Sequence, residues 1–582
     1  MRARFRRGTS QVARLRVHSL VLRPPGRLLA ATAVVILMWG VSLSTVASAA
    51  SPSPLRPAPP PPAVDQPLGT TDPTLAIELA DGERIRTMAE QGAIVARRLR
   101  LEHVPETKIG PVRLAADGFS SMVLLARQRP YTLPELATKF PAWVSEVTPG
   151  TWLVGEPIVV ATGARLTVLG DRVNELRLLS MPGRFASIAG WRSTIVIAGS
   201  ATRRLRVTTW DPTTRGPDED TSDGRAYLIA KGGRFDAVDA EFSDLGFRIG
   251  ESSGVAWRGW PGEPVRGDVT RSWFVKNYFG AYTFEATGMR WLDDVFAWNR
   301  VYGFDPHDHS EGFVVEGNVA MLNGSHGLIF SRGCIANLIR GNTSFANGGG
   351  GIVLDDGRLA NDGDPRHAQV VPSSQNTVDG NLVWGNGVGI VLEGGTGNIV
   401  RNNLIALDRV GVRIKNRAAS NSLTGNFVVG SALMGIHVIA GATDNVISGD
   451  VVVGGKVGIS VGDGSGNRIV GNDVRGIAGR GIVLQGAVAA TVITDNEVTG
   501  QGTSAIDVTH ATGHTPSMIA RNSTVDWAAS APAHIDSAAT FLHGHPAILA
   551  WAVIFLVPLA WWLPARRRRL FASRRRGTER VT

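Results

Sequence analysis

Glycine returns along the second half of this chain at a nearly constant interval, and the interval is too short for most repeat folds. Gly280, Gly303, Gly327 and Gly351 are separated by 23, 24 and 24 residues, and Gly389, Gly411, Gly435, Gly458 and Gly481 follow at 22, 24, 23 and 23. A second column keeps the same period: Asn318, Asn342, Asn381, Asn403, Asn426, Asp450, Asn472 and Asn496. A fixed period means a stack in which each repeat touches only its neighbours. Helical solenoids need repeats of roughly 33 to 47 residues with long amphipathic stretches. The runs here are short, β-branched and broken by Gly, Asn and Asp. The period therefore predicts an all-β fold, a right-handed parallel β-helix over residues 151–530 with coils of about 23 residues. The Asn column is expected to sit at a corner, where Asn tolerates left-handed backbone and can bond its neighbours up the stack. Gly351 and Gly389 are 38 residues apart, so one coil carries an insertion of about fifteen residues, roughly 358–373, a candidate lid.

Charge belongs to the ends of the chain. The overall balance is +10, but the first 27 residues hold eight arginines and no acid, and the stretch after Pro564 carries a net +7. The remainder is left at −5, which removes the case for nucleic acid as a partner. Residues 1–50 combine the Arg-rich start, the apolar run Leu28 to Val46 and Ala47-Ser48-Ala49-Ala50, the pattern of a signal peptide or an N-terminal anchor. Residues 51–74 are a Pro-rich linker. In residues 75–150, Asp81-Gly82 reads as a turn and Thr132-Leu-Pro-Glu135 as a helix start, giving a small α/β lead-in. Residues 546–564 have the length of a transmembrane helix, contain Trp551, Trp561 and Trp562, and run into a basic tail at 565–582. The positive-inside rule puts that tail in the cytoplasm and the β-helix outside the cell membrane. With one cysteine, Cys334, there is no internal disulfide, and a buried core thiol is expected.

Stacked coils turn a sequence into a surface, because residues at one offset from the aligned glycine become neighbours about 4.8 Å apart. Offsets +1 and +3 are mostly apolar and point inward. Offset +2 reads Tyr282, Asp305, Ile329, Val353, Val391, Arg413, and offset +4 reads Phe284, His307, Ser331, Asp355, Glu393, Lys415. At +5 stand Glu285, Asp308, Arg332 and Asp356, so Arg332 is expected one coil from His307 and Asp308.

That grouping suits removal of a proton next to a carboxylate. The C5 proton of a uronate is too weakly acidic for imidazole unless a cation neutralises the carboxylate and stabilises the developing enolate. Arg332 can supply the cation through a two-pronged contact. His307 is then the base, and Asp305 or Asp308 can fix its tautomer. Tyr302 can donate from the opposite side of the sugar. Asp305, His307, Asp308 and His309 are also metal-ligand types, but an extended strand points alternate side chains apart, so no metal and no cofactor is expected. The same alternation makes Asp355 and Asp356 a poor acid and base pair for a glycosidase.

The stretch Tyr302-Gly-Phe-Asp305-Pro-His307-Asp308-His-Ser310, followed by Ser331-Arg332, resembles the periplasmic alginate (mannuronan) C5-epimerases, as does Phe279-Gly-Ala-Tyr282-Thr-Phe-Glu285-Ala one coil earlier. The resemblance implies that His307 removes the C5 proton, Arg332 neutralises the carboxylate, and Tyr302, Asp305 and Asp308 shape the site. Tyr282, Glu285, Asp355, Arg413 and Lys415 are the expected substrate-binding residues. An acidic exopolysaccharide is the expected substrate; the membrane and a polysaccharide synthesis or secretion complex are the other expected partners. A lyase using the same base, or a membrane-tethered β-helix that only binds polysaccharide, would share most of these features.

Overall fold

In the computed structural model, residues 72–529 are described, apart from 117, 201, 249, 358–370 and 514–515. The expected signal segment and linker, the transmembrane segment 546–564, the basic tail and most of the insertion lie outside the described residues. Among the described residues no helix is long and apolar enough to cross a membrane.

Successive strands pair in parallel with the equivalent strand one coil away, so that Ala281–Phe284, Phe304–His307, Leu328–Ser331, Gly350–Asp355, Val388–Glu393 and Val410–Lys415 form one continuous face. Each coil contributes two shorter strands to two further faces, as Val314–Glu316 and Val319–Met321 do. The register matches the glycine alignment, with His307 beside Ser331, Ser331 beside Asp355 and Glu393 beside Lys415. The glycines serve close approach. A Cβ on Gly389 would stand 2.6 Å from the carbonyl of Gly411 in the next coil, nearer than any side chain can come.

The parallel stack begins earlier than residue 151. Phe119–Leu124 already pairs in parallel with Ile158–Val160, which pairs with Ser187–Ala198. Asp81 and Gly82 do not form a turn: they lie inside the helix Pro73–Leu101. Asp81 is buried there and accepts from Arg84 Nε at 2.7 Å, while Nη1 and Nη2 of the same guanidinium donate to Ser121 and Ser187 of the first coils. A local turn signal has thus been overridden by tertiary hydrogen bonds, from Arg84 to Ser121 and Ser187 and from Tyr227 to Asp81, made with this stretch as a helix. Residues Leu133–Lys139 are helical as expected, with Thr132 at the cap.

The corners carry amide ladders. In the predicted column each Asn side chain donates to the next, as Asn342 Nδ2 does to Asn381 Oδ1 at 3.0 Å, while Asn342 N–H donates to the same oxygen at 2.9 Å. The Asn residues themselves are not left-handed; that backbone belongs to the residue before each, Gly317, Gly341, Gly380 and Asn402 among them. Two further ladders, missed in the sequence, occupy the other corners: Asn277, Asn299, Asn323, Asn347, Asn386 and Asp408; and Asn337, Asn376, Asn398, Asn421, Asn445 and Asn467. Every buried corner amide is thereby paired. Inside the coils, Phe242, Phe274, Phe296 and Phe304 stack at 5.2–5.3 Å, giving way to Ile and Val higher up.

Asp450 interrupts the first ladder and, like Asn, accepts from Asn426 at 2.7 and 2.8 Å. An ionised carboxylate has no proton to donate in return, and burial pushes Asp450 up to about 6 from 3.8, against the Asn426 hydrogen bonds. With the folded value above the unfolded one, stability falls as pH rises between the two and stays lower above them. Asp450→Asn is therefore expected to stabilise the fold at pH 8 by about 1–3 kcal/mol and to have little effect near pH 3.5, read from urea midpoints at both pH values. An equal shift at both would show that folding does not raise the Asp450 carboxyl above its unfolded value.

Candidate active site

The strand Phe304–His307 is short because the chain turns sharply after it. Asp308 and His309 both take left-handed backbone, φ 33° and 55°, and the Ser310 hydroxyl donates to the His307 carbonyl at 2.8 Å, closing the turn. Pro306 lacks an N–H, and its carbonyl accepts from the buried thiol of Cys334 at 3.4 Å. The bend swings Asp308 back beside its neighbour. Its Oδ2 bonds His307 Nδ1, and its Oδ1 lies 2.5 Å from Arg332 Nε across the coil boundary. One buried carboxylate thus holds both imidazole and guanidinium. Of the two aspartates expected beside His307, Asp308 is the one whose carboxylate meets its ring nitrogen.

Asp305 faces outward on the same strand, 1% exposed, with the Ser331 hydroxyl bonded to it. Burial pushes it up to about 7, against the pull of His307, while Asp355 and Asp308 add to the rise. Burial and the charge of Glu393 bring Asp355 to about 6. For His307, burial opposes the cation, but the Asp308 hydrogen bond and the charges of Asp305, Asp308 and Asp355 outweigh it, so the imidazole lies above its ordinary 6.5. The Tyr302 hydroxyl is raised by burial and by Asp305 and Asp355.

The expected residues divide into two groups. Tyr282, whose ring centre is 5.9 Å from that of His307, joins Tyr302, Asp305, His307, Asp308, Arg332 and Asp355 within four adjacent coils. Glu285 stands one coil below Asp308 and donates its N–H to the Asp308 carbonyl at 2.7 Å. Lys415 and Arg413 lie further up the face, and Lys415 pairs with Glu393 at 2.7 Å.

Of the four metal-ligand types around residue 307, His309 is exposed, whereas the other three face the site. Contrary to the expectation that they diverge, Asp355 and Asp356 bring carboxylate oxygens within 4.8 Å of each other and of Glu393.

His326 went unnoticed in the sequence, although it precedes its aligned glycine as Tyr302 does one coil below. Its ring stacks on Tyr302 at 5.3 Å, and its Nδ1 accepts from Gly350 N–H at 2.7 Å. Burial, with Lys415 nearby, pushes it down to about 4, leaving a neutral ring that presents an Nε2–H donor.

With the geometry in place, known proteins can be compared. Residues 367–525 match the family model described as "Right handed beta helix region". The crystal structure of the periplasmic alginate epimerase AlgG superposes with a TM-score of 0.52 at 19% identity, covering 70% of this chain and 86% of that one. The fold is a right-handed parallel β-helix. Among curated proteins, the Pseudomonas aeruginosa mannuronan C5-epimerase is 30% identical over 213 residues, 34% of this chain and 38% of that protein. The Pseudomonas putida mannuronan C5-epimerase is 29% identical over 326 residues, 52% of this chain and 57% of its own length. The alignments thus span less than two thirds of these relatives, and the resemblance read from the β-helix motif is to proteins of that name.

Asp308 supplies the hydrogen bond that raises His307, and its removal leaves burial opposed only by the charges of Asp305 and Asp355. The His307 ring resonance is expected to titrate above 6.5 in the wild type and at a lower pH in Asp308→Asn. Because the folded value is the raised one, the pairing stabilises below the unfolded value and is lost as pH climbs through the folded one. An unchanged midpoint in Asp308→Asn would remove Asp308 as the partner.

Proposed function

We propose that this chain is a C5-epimerase of uronate residues in an acidic, mannuronan-like polysaccharide. The observation that carries the reading is the chain of contacts from His307 through Asp308 to Arg332, which sets a base and a cation side by side on the open face of the β-helix. His307, its Nδ1 engaged by Asp308, takes the C5 proton at Nε2; Arg332 neutralises the uronate carboxylate while charge develops on it. Tyr302 or water returns a proton to the other face of the sugar. Asp305, raised by burial to about 7, is only partly ionised near neutrality, so it repels a polyanion less than an ordinary aspartate would. Tyr282 and Glu285 border the reacting sugar from the coil below, and Arg413 with Lys415 meets the polymer beyond it. The mannuronan C5-epimerase relatives support the substrate class. The sequence of residues 1–50 and 546–564 supports a protein tethered to the membrane by its C-terminal segment with the β-helix outside, where an exopolysaccharide is met during synthesis or secretion.

The test is proton NMR of polymannuronate incubated with the full-length protein in deuterated water. Deuterium is expected at C5 of inverted sugars, with the rate lowered about 10²- to 10⁴-fold in His307→Ala and in Arg332→Ala. Because His307 must be neutral to act, kcat/KM is expected to fall as pH drops through a value above 6.5. Unsaturated uronate products would make the protein a lyase, and absence of both products with any uronate polymer would leave polysaccharide binding alone.

A further inference from the structure

The +2 column that carries Asp305 continues up the open face as Ile329, Val353 and Val391, and then turns polar at Arg413, His437 and Ser460. The three aliphatic residues form one packed strip with Tyr302. A sugar chain following this column from the reacting position therefore passes over apolar surface and meets no polar side chain of the column until Arg413. There the side chains are unusual. Arg413 Nε and both ring nitrogens of His437 are buried and have no hydrogen-bond partner among the described residues. Most buried polar groups are satisfied, so three orphaned nitrogens on adjacent coils mark a place shaped for an acceptor that arrives from outside. Lys415, beside Arg413, is already committed to Glu393, and Glu393 also accepts from Asn416. Of the two outward cations on this strand, Arg413 is the one whose charge is not met by a direct ion pair among the described residues.

We propose that Arg413 and His437 form a distal carboxylate subsite that binds a uronate well beyond the reacting one and so sets the shortest polymer the protein holds tightly. The proposal rests on the reading of the face as a polyuronate groove. Arg413 is four coils above the coil of His307 and His437 is five, roughly 19 and 24 Å along the stack at about 4.8 Å per coil. An extended 1,4-linked pyranose chain advances by nearly one coil spacing per sugar, so carboxylates and coils stay in step over that distance. Arg413 offers a fork to a carboxylate. His437, held neutral by burial and by Arg413, offers one N–H to the same group.

The experiment is calorimetric titration of oligomannuronates, from about three to about eight sugars, into the full-length His307→Gln protein, which does not consume them. Affinity is expected to rise about tenfold once the chain is long enough to reach the Arg413 coil, about five sugars by coil count. Adding Arg413→Ala or His437→Gln should abolish that step while leaving trimer affinity unchanged, which also shows that each variant is folded. A step that persists in both variants, or affinity that grows smoothly with length in the His307→Gln protein, would overturn the subsite while leaving the groove intact. No binding of any oligomer would overturn the groove reading itself.

Discussion

Everything in this molecule depends on one repeated hydrogen bond, the side-chain amide of a corner asparagine donating to the same amide one coil on. The β-strands of a coil are only three to six residues long over most of the stack, too short to hold their register alone. At each corner the chain must turn with its polar backbone buried, and the Asn oxygen collects both the N–H and the amide of its neighbour. Because the bond repeats with the strand spacing, correct pairing at one corner enforces it at the others. The cost appears one residue earlier, where Leu322, Ala346 and Leu407 are held in left-handed backbone that such side chains rarely adopt.

The site draws on the same architecture but inverts its economy of charge. On the ladders, neutral amides satisfy one another. At the site, a single carboxylate serves a guanidinium and an imidazole, and two further aspartates are buried nearby with raised proton affinities. A cluster of this kind is held in place by the parallel strand pairing of the coils on either side, and buried groups with shifted proton affinities are the kind that acid–base chemistry uses.

Much of this was legible from residue spacing. The glycine period fixed which residues share a column, and the observed pairing of His307 with Ser331 and Ser331 with Asp355 follows it without a slip. What spacing could not reveal were departures from strand alternation. His307 and Asp308 meet because positive φ at Asp308 turns the chain there, and Asp355 and Asp356 converge at the end of their strand, where alternation no longer holds. Two of three ladders were overlooked, since Asn277 and Asn337 belong to columns that Ser431 and Thr491 end with different residue types. The turn expected at Asp81 failed for another reason: its partner Tyr227 is 146 residues away, and no local pattern announces such a contact.

The insertion after Gly351 shows what this construction permits. Some fifteen extra residues enter between two coils, yet Ile352 still pairs with Ile390, Leu354 with Leu392, and Asn342 with Asn381. The scaffold registers only whether the corners meet and is indifferent to how much chain lies between them. Loops beside the face that carries His307 can therefore lengthen, shorten or change composition by mutation without passing through an unfolded ancestor. That is a route by which the surface beside the open face can change while the fold stays under selection.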